Sequence, residues 1–489
     1  TPLEETPTPL EETSIVQKNT EINLLVMYCQ SGKTEVILNK IEKLVNKGVV
    51  CIVITDNNKL LAEQTKERAS IKNIKAAAII SQASGKFEGG AVNFKDFDKT
   101  DGRLNRVEKD GSLCSFKMNC RRAIINDYIN TVFVCSNKVR WEDVEKIVET
   151  CRVYNKQVHI DVDEADKTCK KEEGTSVKTI KKWHNNYENV VGVQLITGTP
   201  YDGKCTSTRI KWLGDKFNGK LEISKLERGF GETYRALKEC KHEIHEGSHD
   251  KVTYTLEVLE QAEPEVGFID FLPAERTTVT HENMVSEVQE FYDATIIING
   301  KCKEIRFTDE RPSVNITSLK GKDTAEKLGR WYRDNNGKNM KIAITGYLCL
   351  SRGITFSSDK YGLYINRMII NGERSIADSI QMMSRCAGYT KHVPTVICTD
   401  EMWKCVNRDF DIIKEMISIA LRPDSKQRIM TTQHMNVIFS DNNNKTELSS
   451  IYEHKFEPFP NYPNKQFLID YFKKTRGINL QINAKIKEE

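Results

Sequence analysis

The sequence lacks a long apolar run, a regular cysteine spacing and an excess of charge of one sign. No stretch approaches the roughly 18 consecutive apolar residues that a membrane-spanning helix needs. The 14 cysteines are scattered without a C-x-x-C pair, which argues against a disulfide-stapled secreted domain and favours a reducing compartment. The 73 basic and 69 acidic residues nearly balance, so any nucleic-acid site must be a local basic stripe. We therefore expect an intracellular protein that is neither secreted nor bound to a membrane.

Length and terminal composition indicate the domain organisation. A chain of 489 residues is long enough for about three domains. Residues 1–19 contain a duplicated Thr-Pro-Leu-Glu-Glu-Thr with little apolar content, and we interpret them as a disordered lead-in. The chain starts at Thr1 without a leader-like segment, so we expect a trimmed chain or a piece of a longer one.

A candidate phosphate-binding loop lies near the start. An apolar strand pattern, a short loop and an amphipathic helix pattern follow one another over residues 24–45. The loop reads Gln30, Ser31, Gly32, Lys33 and Thr34. In such a loop, backbone N–H groups face an anion, the lysine reaches the terminal phosphates and the neighbouring hydroxyl binds Mg²⁺. The position five residues before Gly32 is Met27 rather than glycine, so a strand-to-helix turn that happens to carry Gly-Lys-Thr is the alternative.

From residue 20 to 213, apolar runs alternate with helical patterns. The runs lie at 24–27, 49–55, 75–80, 131–136, 158–162 and 190–197, with helices expected at 58–69, 121–130 and 141–155. This alternation predicts an α/β domain with a parallel sheet covered on both faces and ligands at the carboxyl ends of its strands. Residues 82–119 interrupt the pattern and are interpreted as an insertion or long loop.

Two strand ends carry polar residues. Asp163 and Glu164 follow the run at 158–162; one carboxylate can hold Mg²⁺ and the next can orient an attacking water. The alternative is an acidic cap on the next helix. The following run ends in a Thr-Gly-Thr-Pro turn at 197–200, which is either an ordinary turn without a function or, at the same sheet edge, one that senses the nucleotide.

Taken in order, these motifs resemble motifs I, Ia, II and III of superfamily 2 helicases and translocases. They are MYCQSGKT at 27–34, ITDNNKLLAEQ at 54–64, Asp-Glu-Ala-Asp at 163–166 and Thr-Gly-Thr-Pro at 197–200. The resemblance implies that Lys33, Thr34 and Asp163 bind Mg-ATP and that Glu164 promotes its hydrolysis. It also implies that motif Ia contacts a nucleic-acid backbone and that motif III couples the two sites.

The family has a second RecA-like domain, and a second alternating pattern is present at 266–422. Its apolar runs lie at 266–271, 294–298, 340–345, 361–370 and 393–398, with helices expected at 283–292, 322–334 and 374–387. We therefore predict two tandem RecA-like parallel-sheet domains. Residues 214–265 are interpreted as a connector or insertion and 423–489 as a small C-terminal accessory region.

The second domain contains two further resemblances. Residues 343–356 resemble motif V, which implies contacts of Arg352 and Gly353 with nucleic acid and ATP. Residues 381–389 resemble motif VI, which implies that Gln381 lies at the nucleotide and that Arg385 reaches the γ-phosphate from across the cleft. Many family members place a second arginine where this chain has Gly388. Either Arg385 is the arginine finger, or the finger comes from elsewhere, or turnover is slow.

Two other clusters leave alternatives open. Cys240, His242, His245 and His249 lie close in sequence, but a charged surface segment explains them better than zinc. Aromatic and basic residues alternate over 455–476, where they either stack bases and hold phosphates or form a small packed subdomain.

The sequence is therefore interpreted as an ATP- and Mg²⁺-dependent nucleic-acid motor. We expect DNA in preference to RNA, because the Thr-Gly-Thr-Pro turn and the lone-arginine motif VI resemble DNA-directed branches. A Lys-, Asn- and Ile-rich composition suits an AT-rich genome such as that of a large DNA virus, with the protein in the cytoplasm or nucleus of its host. A nuclease or replication subunit is a further candidate partner. The three hypotheses are a strand-separating helicase, a duplex translocase of restriction-type machinery and a degenerate ATPase that serves as a binding scaffold.

Overall fold

The described part of the chain contains two α/β lobes. The computed structural model describes residues 16–56, 65–66, 68–79, 123–136, 138–169, 175–199, 213, 217, 222–227, 234–275, 278–299, 303–321, 324–346, 356–371, 376–404, 406–408 and 411. These residues belong to one compact unit, Thr1–Glu447. The insertion expected at 82–119, the region 423–489, and Arg352 and Gly353 of motif V lie outside the described residues. No helix in the described ranges is long and apolar enough to traverse a membrane.

The first lobe is built on a seven-stranded sheet in which every described pairing is parallel, in the order β3-β4-β2-β5-β6-β1-β7. Its strands are β1 (Asn23–Met27), β2 (Val50–Thr55), β3 (Ala76–Ile79), β4 (Thr131–Cys135), β5 (Val158–Val162), β6 (Val190–Thr197) and β7 (Glu222–Glu227). Its helices are α1 (Lys33–Val45), α2 (Lys138–Val153), the short α3 (Ala165–Thr168) and α4 (Thr175–Asn186).

Helices cover both faces of this sheet, as the continuous apolar runs predict. Alternate residues of β1 point to opposite faces, so Leu24 packs in the cluster that contains Trp183 of α4. Leu25 packs in the other cluster, with Ile37 and Ile41 of α1. The strand before the phosphate loop is thus fixed from both sides.

The second lobe is built on an eight-stranded sheet in the order β12-β11-β10-β13-β9-β14-β15-β8. Its strands are β8 (Lys241–Ile244), β9 (Ile269–Pro273), β10 (Ala294–Ile298), β11 (Lys303–Phe307), β12 (Val314–Asn315), β13 (Ile342–Gly346), β14 (Ile365–Ile369) and β15 (Thr395–Cys398). Its helices are α5 (Lys251–Gln261), α6 (Thr278–Val288), α7 (Thr324–Asp334) and α8 (Ile376–Met383). The predicted α/β fold class, with one sheet in each of two lobes, is therefore confirmed.

The expectation of a purely parallel second sheet is wrong. Strand β11 pairs antiparallel with β10, and β12 pairs antiparallel with β11. The sequence of β11, Lys-Glu-Ile-Arg-Phe, alternates charged and apolar residues because the strand is only half-buried near the sheet edge. A search for continuous apolar runs passes over such a strand.

The segment interpreted as a connector supplies strands to both sheets. Strand β7 pairs with β1, so the first lobe extends beyond residue 213. Strand β8 pairs with β15 in the second sheet, and α5 packs in the core there. All four residues of β8 are exposed, so this edge strand lacks an apolar run.

Residues 16–19, which belong to the segment expected to be a disordered lead-in, make hydrogen bonds with the first lobe. The backbone of Val16 exchanges hydrogen bonds with the amide side chain of Gln157, at 2.9 and 2.8 Å. The N–H of Asn19 donates to the carbonyl of Val191 at 2.7 Å. These backbone partners carry no hydrophobic signature, which is why the sequence pattern misses them.

Candidate nucleotide-binding cleft

The candidate phosphate loop connects β1 to α1 and contains two left-handed residues. Gln30 has φ 57° and Gly32, at the N-cap of α1, has φ 96°. The N–H and the hydroxyl of Ser31 both donate to the carbonyl of Tyr28, at 3.2 and 2.6 Å. This turn aims the N-terminus of α1 at the carboxyl edge of the sheet, where the helix dipole favours an anion.

Asp163 and Glu164 lie at the same edge, because β5 and β1 flank β6 in a parallel arrangement. The N–H of Asp163 donates to the carbonyl of Ile54 at 2.8 Å, and the N–H of Glu164 donates to Oδ1 of Asp163 at 3.0 Å. Both side chains are buried, with exposed fractions of 7% and 4%. Burial, reinforced by the charge of Glu164, raises the pKa of Asp163 to about 7, while Lys33 opposes the shift.

Asp166 is the last carboxylate of the acidic motif at 163–166, and it connects this motif to the turn at 197–199. Asp166 accepts hydrogen bonds from the hydroxyl of Thr197 at 2.7 Å and from that of Thr199 at 3.0 Å. A Cβ on Gly198 would lie 3.2 Å from Nζ of Lys33, so a side chain there would crowd the lysine. The polar turn at 197–199 thus touches both the acidic motif and the phosphate loop.

A cavity of about 390 Å³ lies between the two lobes. Its first-lobe wall includes Gln30, Gly32, Lys33, Thr34, Asp163 and Glu164, and its second-lobe wall includes Gln381 and Arg385. Ser31 is fully buried behind the loop and does not line the cavity. Every predicted site residue in the described ranges except Ser31 therefore faces one common space.

Gln381 and Arg385, on the second-lobe wall, come from α8 and the turn after it. Helix α8 passes directly into a 3₁₀ turn, Ser384–Cys386, so Gln381 and Arg385 come from consecutive turns. Arg385 is buried, with an exposed fraction of 7%. A buried guanidinium opposite a phosphate loop can stabilise negative charge that develops between the lobes.

Gly388 lies at the position where the motif VI pattern that this segment resembles has a second arginine, and it has a backbone role in this structure. Its φ is +118°, and its N–H and carbonyl exchange hydrogen bonds of 2.9 Å with the backbone of Arg235. A Cβ at this position would lie 3.7 Å from Cβ of Gln30. The position therefore favours glycine, because an L side chain is strained at this φ.

The cleft also contains residues that were not predicted as site residues, among them Arg68, Phe356 and Asp359. Arg68 lines the first-lobe side, and Phe356 and Asp359 line the second-lobe side. A single arginine in a helical pattern is typical of a solvated surface, so Arg68 offered no signal. Phe356 is the last residue of the segment that resembles motif V. The resemblance indicated its position near the site, but its apolar side chain did not indicate a role.

The His- and Cys-containing segment at 240–249 makes ordinary structural contacts. Cys240 Sγ donates to the carbonyl of Cys386 at 3.3 Å, and the ring of His242 stacks on Trp403 at 4.2 Å. Among the described residues, no group of three or more His, Cys, Asp and Glu side chains is arranged to hold a metal ion.

No protein-family model matches the chain, and no curated protein sequence matches it. Solved structures with a similar fold include the DNA-bound ATP-dependent Type ISP restriction-modification enzyme LlaBIII (11% identity, TM-score 0.49). They also include the DUF1998 helicase MrfA bound to DNA and AMPPNP (13% identity, TM-score 0.44). A third is S. cerevisiae Dbp5 bound to RNA and ADP BeF3 (12% identity, TM-score 0.43). The alignments cover 87%, 86% and 80% of this chain, and 31%, 51% and 83% of those chains.

Proposed function

We propose that this protein is an ATP-dependent nucleic-acid motor, and specifically a DNA helicase that couples ATP hydrolysis to strand separation. The observation that carries the proposal is the shared cavity: Lys33 and Asp163 line it from the first lobe, and Arg385 lines it from the second. A volume of about 390 Å³ falls within the range of roughly 300–1,000 Å³ that ligand sites occupy.

The residues present fit Mg-ATP. Burial raises the pKa of Asp163, and a cation bound beside the paired carboxylates would favour its ionised form. Asp163 and the hydroxyl of Thr34 would hold Mg²⁺, and Lys33, Gln30 and Gly32 would hold the phosphates. Bound Mg²⁺ would neutralise charge on the phosphates.

Glu164 is the proposed water-orienting residue. It lines the cavity beside Asp163, at a backbone φ of 49° that turns the chain sharply after β5. Arg385 would supply positive charge from the second lobe, and Gln381 would contact the nucleotide beside it. Arg352 and Gly353 retain the role implied by the motif V resemblance.

The departure at Met27 does not reach the cleft. Met27 is the last residue of β1, with an exposed fraction of 1%, and packs with α1. The substitution therefore lies in the strand, while the glycine, lysine and threonine that line the cavity are retained. This favours an active ATPase over a degenerate scaffold.

In the proposed cycle, the two lobes close on the nucleotide and exclude water. After hydrolysis the lobes open again. Alternating contacts of the two lobes with a nucleic-acid backbone would then move the protein along a strand. DNA is preferred over RNA on the resemblance of the Thr-Gly-Thr-Pro turn and motif VI to DNA-directed branches.

The primary test is ATP hydrolysis by the whole chain with no nucleic acid, single-stranded DNA, duplex DNA or single-stranded RNA. We expect stimulation by single-stranded DNA and loss of activity in Lys33→Ala. Lys43→Ala is a matched control, because Lys43 is an exposed lysine on the last turn of the same helix. Equal, near-zero rates in wild type and Lys33→Ala would overturn the proposed ATPase.

A second measurement separates unwinding from translocation on duplex DNA. Strand displacement from a partial duplex is expected for a helicase. Displacement of a triplex-forming strand without separation of the underlying duplex would instead identify a duplex translocase.

A further inference from the structure

Two tyrosine hydroxyls reach the carbonyl groups of the phosphate loop. The hydroxyl of Tyr234 donates to the carbonyl of Cys29 at 2.6 Å. The hydroxyl of Tyr389 donates to the carbonyl of Ser31 at 3.1 Å. The two carbonyls flank Gln30, so the tyrosines hold the loop on either side of its first left-handed residue.

Both tyrosines belong structurally to the second lobe. Tyr234 precedes Arg235, whose backbone is paired with Gly388, and the guanidinium of Arg235 donates to Thr390 and to the carbonyl of His392. Tyr389 follows Gly388 directly. The left-handed conformation of that glycine turns the chain so that Tyr389 meets Ser31.

The rings of Tyr234 and Tyr389 pack against each other, and the ring of Tyr234 also packs against the first lobe. Tyr28, the residue after β1, stacks on Tyr234 with ring centroids 6.4 Å apart. Tyr234 also packs against Tyr389, with centroids 5.5 Å apart and a tilt of 59°. Burial raises the pKa of Tyr234 well above its usual value, which keeps its hydroxyl a donor. Such aromatic contacts add to the hydrogen bonds.

We propose that Tyr234 and Tyr389 are positioning residues that hold the phosphate loop in its nucleotide-accepting shape from the second lobe. This deepens the proposed function, because it takes the loop as the site of the ATP phosphates. The tyrosine hydroxyls donate to backbone carbonyl oxygens, whereas bound phosphates would accept hydrogen bonds from the N–H groups at the start of α1. The two sets of contacts are therefore compatible. We call the two hydrogen bonds from the hydroxyls of Tyr234 and Tyr389 to the loop carbonyls the latch. The latch holds the loop in its binding shape before phosphates bind.

The test uses Tyr389→Phe and Tyr234→Phe, which keep the rings and remove only the hydroxyls. Hydrogen–deuterium exchange of amides 28–34 in nucleotide-free protein should accelerate about fivefold, the equilibrium factor that one ordinary hydrogen bond supplies. The KM for ATP should rise by about the same factor while kcat changes less than about twofold, because the loop is pre-organised for binding.

Tyr332→Phe is the matched control. The hydroxyl of Tyr332 donates to the carbonyl of Gly267 at 2.8 Å. The substitution therefore removes an equivalent hydrogen bond that lies wholly within the second lobe. We expect unchanged exchange at 28–34 and unchanged KM in this variant. A similar response in Tyr332→Phe would indicate general destabilisation and overturn the positioning role.

The outcomes separate this inference from the proposed function. Unchanged loop exchange in Tyr389→Phe overturns the latch, whether or not the protein hydrolyses ATP. Faster exchange with an unchanged KM overturns the positioning role. If wild type lacks ATPase activity, the proposed function fails while the exchange measurement still decides the latch. Tyr389 is only half-buried, so its variant carries the test if Tyr234→Phe does not fold.

Discussion

Lys40 on α1 forms an ion pair with Asp161 on β5, two residues before Asp163. Lys40 also donates to Oε1 of Gln194 on β6. Nε2 of His159 lies 3.2 Å from Oδ1 of Asp161. Asp161 is fully buried, and although burial opposes ionisation, Lys40 and His159 together hold its pKa below the usual value. The helix that begins at the phosphate loop is thereby tied to the strand that ends in the acidic motif.

Lys40→Met should lower the free energy of unfolding by roughly 2–3 kcal/mol. Removing one partner of a buried pair leaves an uncompensated charge, which typically costs about 3–5 kcal/mol; the cost here is reduced because Lys40 is partly exposed. Urea denaturation measures the change. The double variant Lys40→Met/Asp161→Asn should recover part of the loss, and equal stability of all three proteins would show that the pair contributes little.

The same pair predicts a pH dependence. Because the folded pKa of Asp161 is depressed, its stabilisation is present above the unfolded pKa, 3.8, and is lost as pH falls through the folded value. In Asp161→Asn, stability should therefore fall less than in wild type when the pH is lowered from about 5 to 3. Parallel stability curves would contradict the shift.

Glu164→Gln should abolish turnover while preserving nucleotide binding. Loss of a residue that orients or activates the attacking water should lower kcat by about 10²–10⁴-fold, because the isosteric amide keeps the shape and loses the charge. Nucleotide and nucleic acid should then be retained together in a filter-binding assay. If most of the wild-type rate remains, the water is positioned by another group.

Arg385→Ala should lower kcat by about 10³-fold or more, the range associated with arginine fingers. Arg385→Lys should recover only part of the rate, because an ammonium lacks the planar fork of the guanidinium. Single-turnover hydrolysis separates this effect from nucleotide affinity. A rate close to wild type in Arg385→Ala would mean that the finger lies elsewhere.

Gly388→Arg, which restores the family pattern, should reduce activity instead of increasing it. A residue with a Cβ at φ +118° costs roughly 1–3 kcal/mol and disturbs the backbone pairing with Arg235. Gly388→Ala isolates this strain from the added charge. Higher ATPase activity in the arginine variant than in the alanine variant would show that the charge can act at this position.

Nucleic-acid binding should weaken as salt rises. Contacts between cationic side chains and phosphates release counterions, so the logarithm of the binding constant should fall linearly with the logarithm of salt concentration. Fluorescence anisotropy with labelled single-stranded DNA at several salt concentrations measures the slope. A flat response would argue against tracking along the backbone.

The sequence predicts the buried strands and the residues at their ends, because both leave local signals. Residues 24–27 lie in strand β1, as the apolar run predicts, and Lys33 and Asp163 follow the ends of β1 and β5. Apolar runs and polar residues at strand ends can be recognised without knowledge of their neighbours in space. The expectation that Arg385 faces Lys33 came from family resemblance, and the shared cavity brings the two together. Their catalytic roles stay predictions.

Other features depend on partners that no local pattern specifies. The exposed strand β8 forms because β15 offers it an edge, and residues 16–19 are held by hydrogen bonds. Tyr389 is the last residue of the segment that resembles motif VI, yet its bond to Ser31 depends on the left-handed turn at Gly388. Such relationships join residues hundreds of positions apart and become visible only in the folded chain.

The position of β8 bears on how the protein can be dissected into fragments. This strand precedes the rest of its sheet in sequence but occupies the sheet's outer edge beside β15. A fragment starting at residue 266 would lose that edge strand and α5, leaving β15 open to intermolecular pairing. A cut between Glu227 and Tyr234 would leave each described strand with its own sheet, because β7 would stay with the first lobe and β8 with the second.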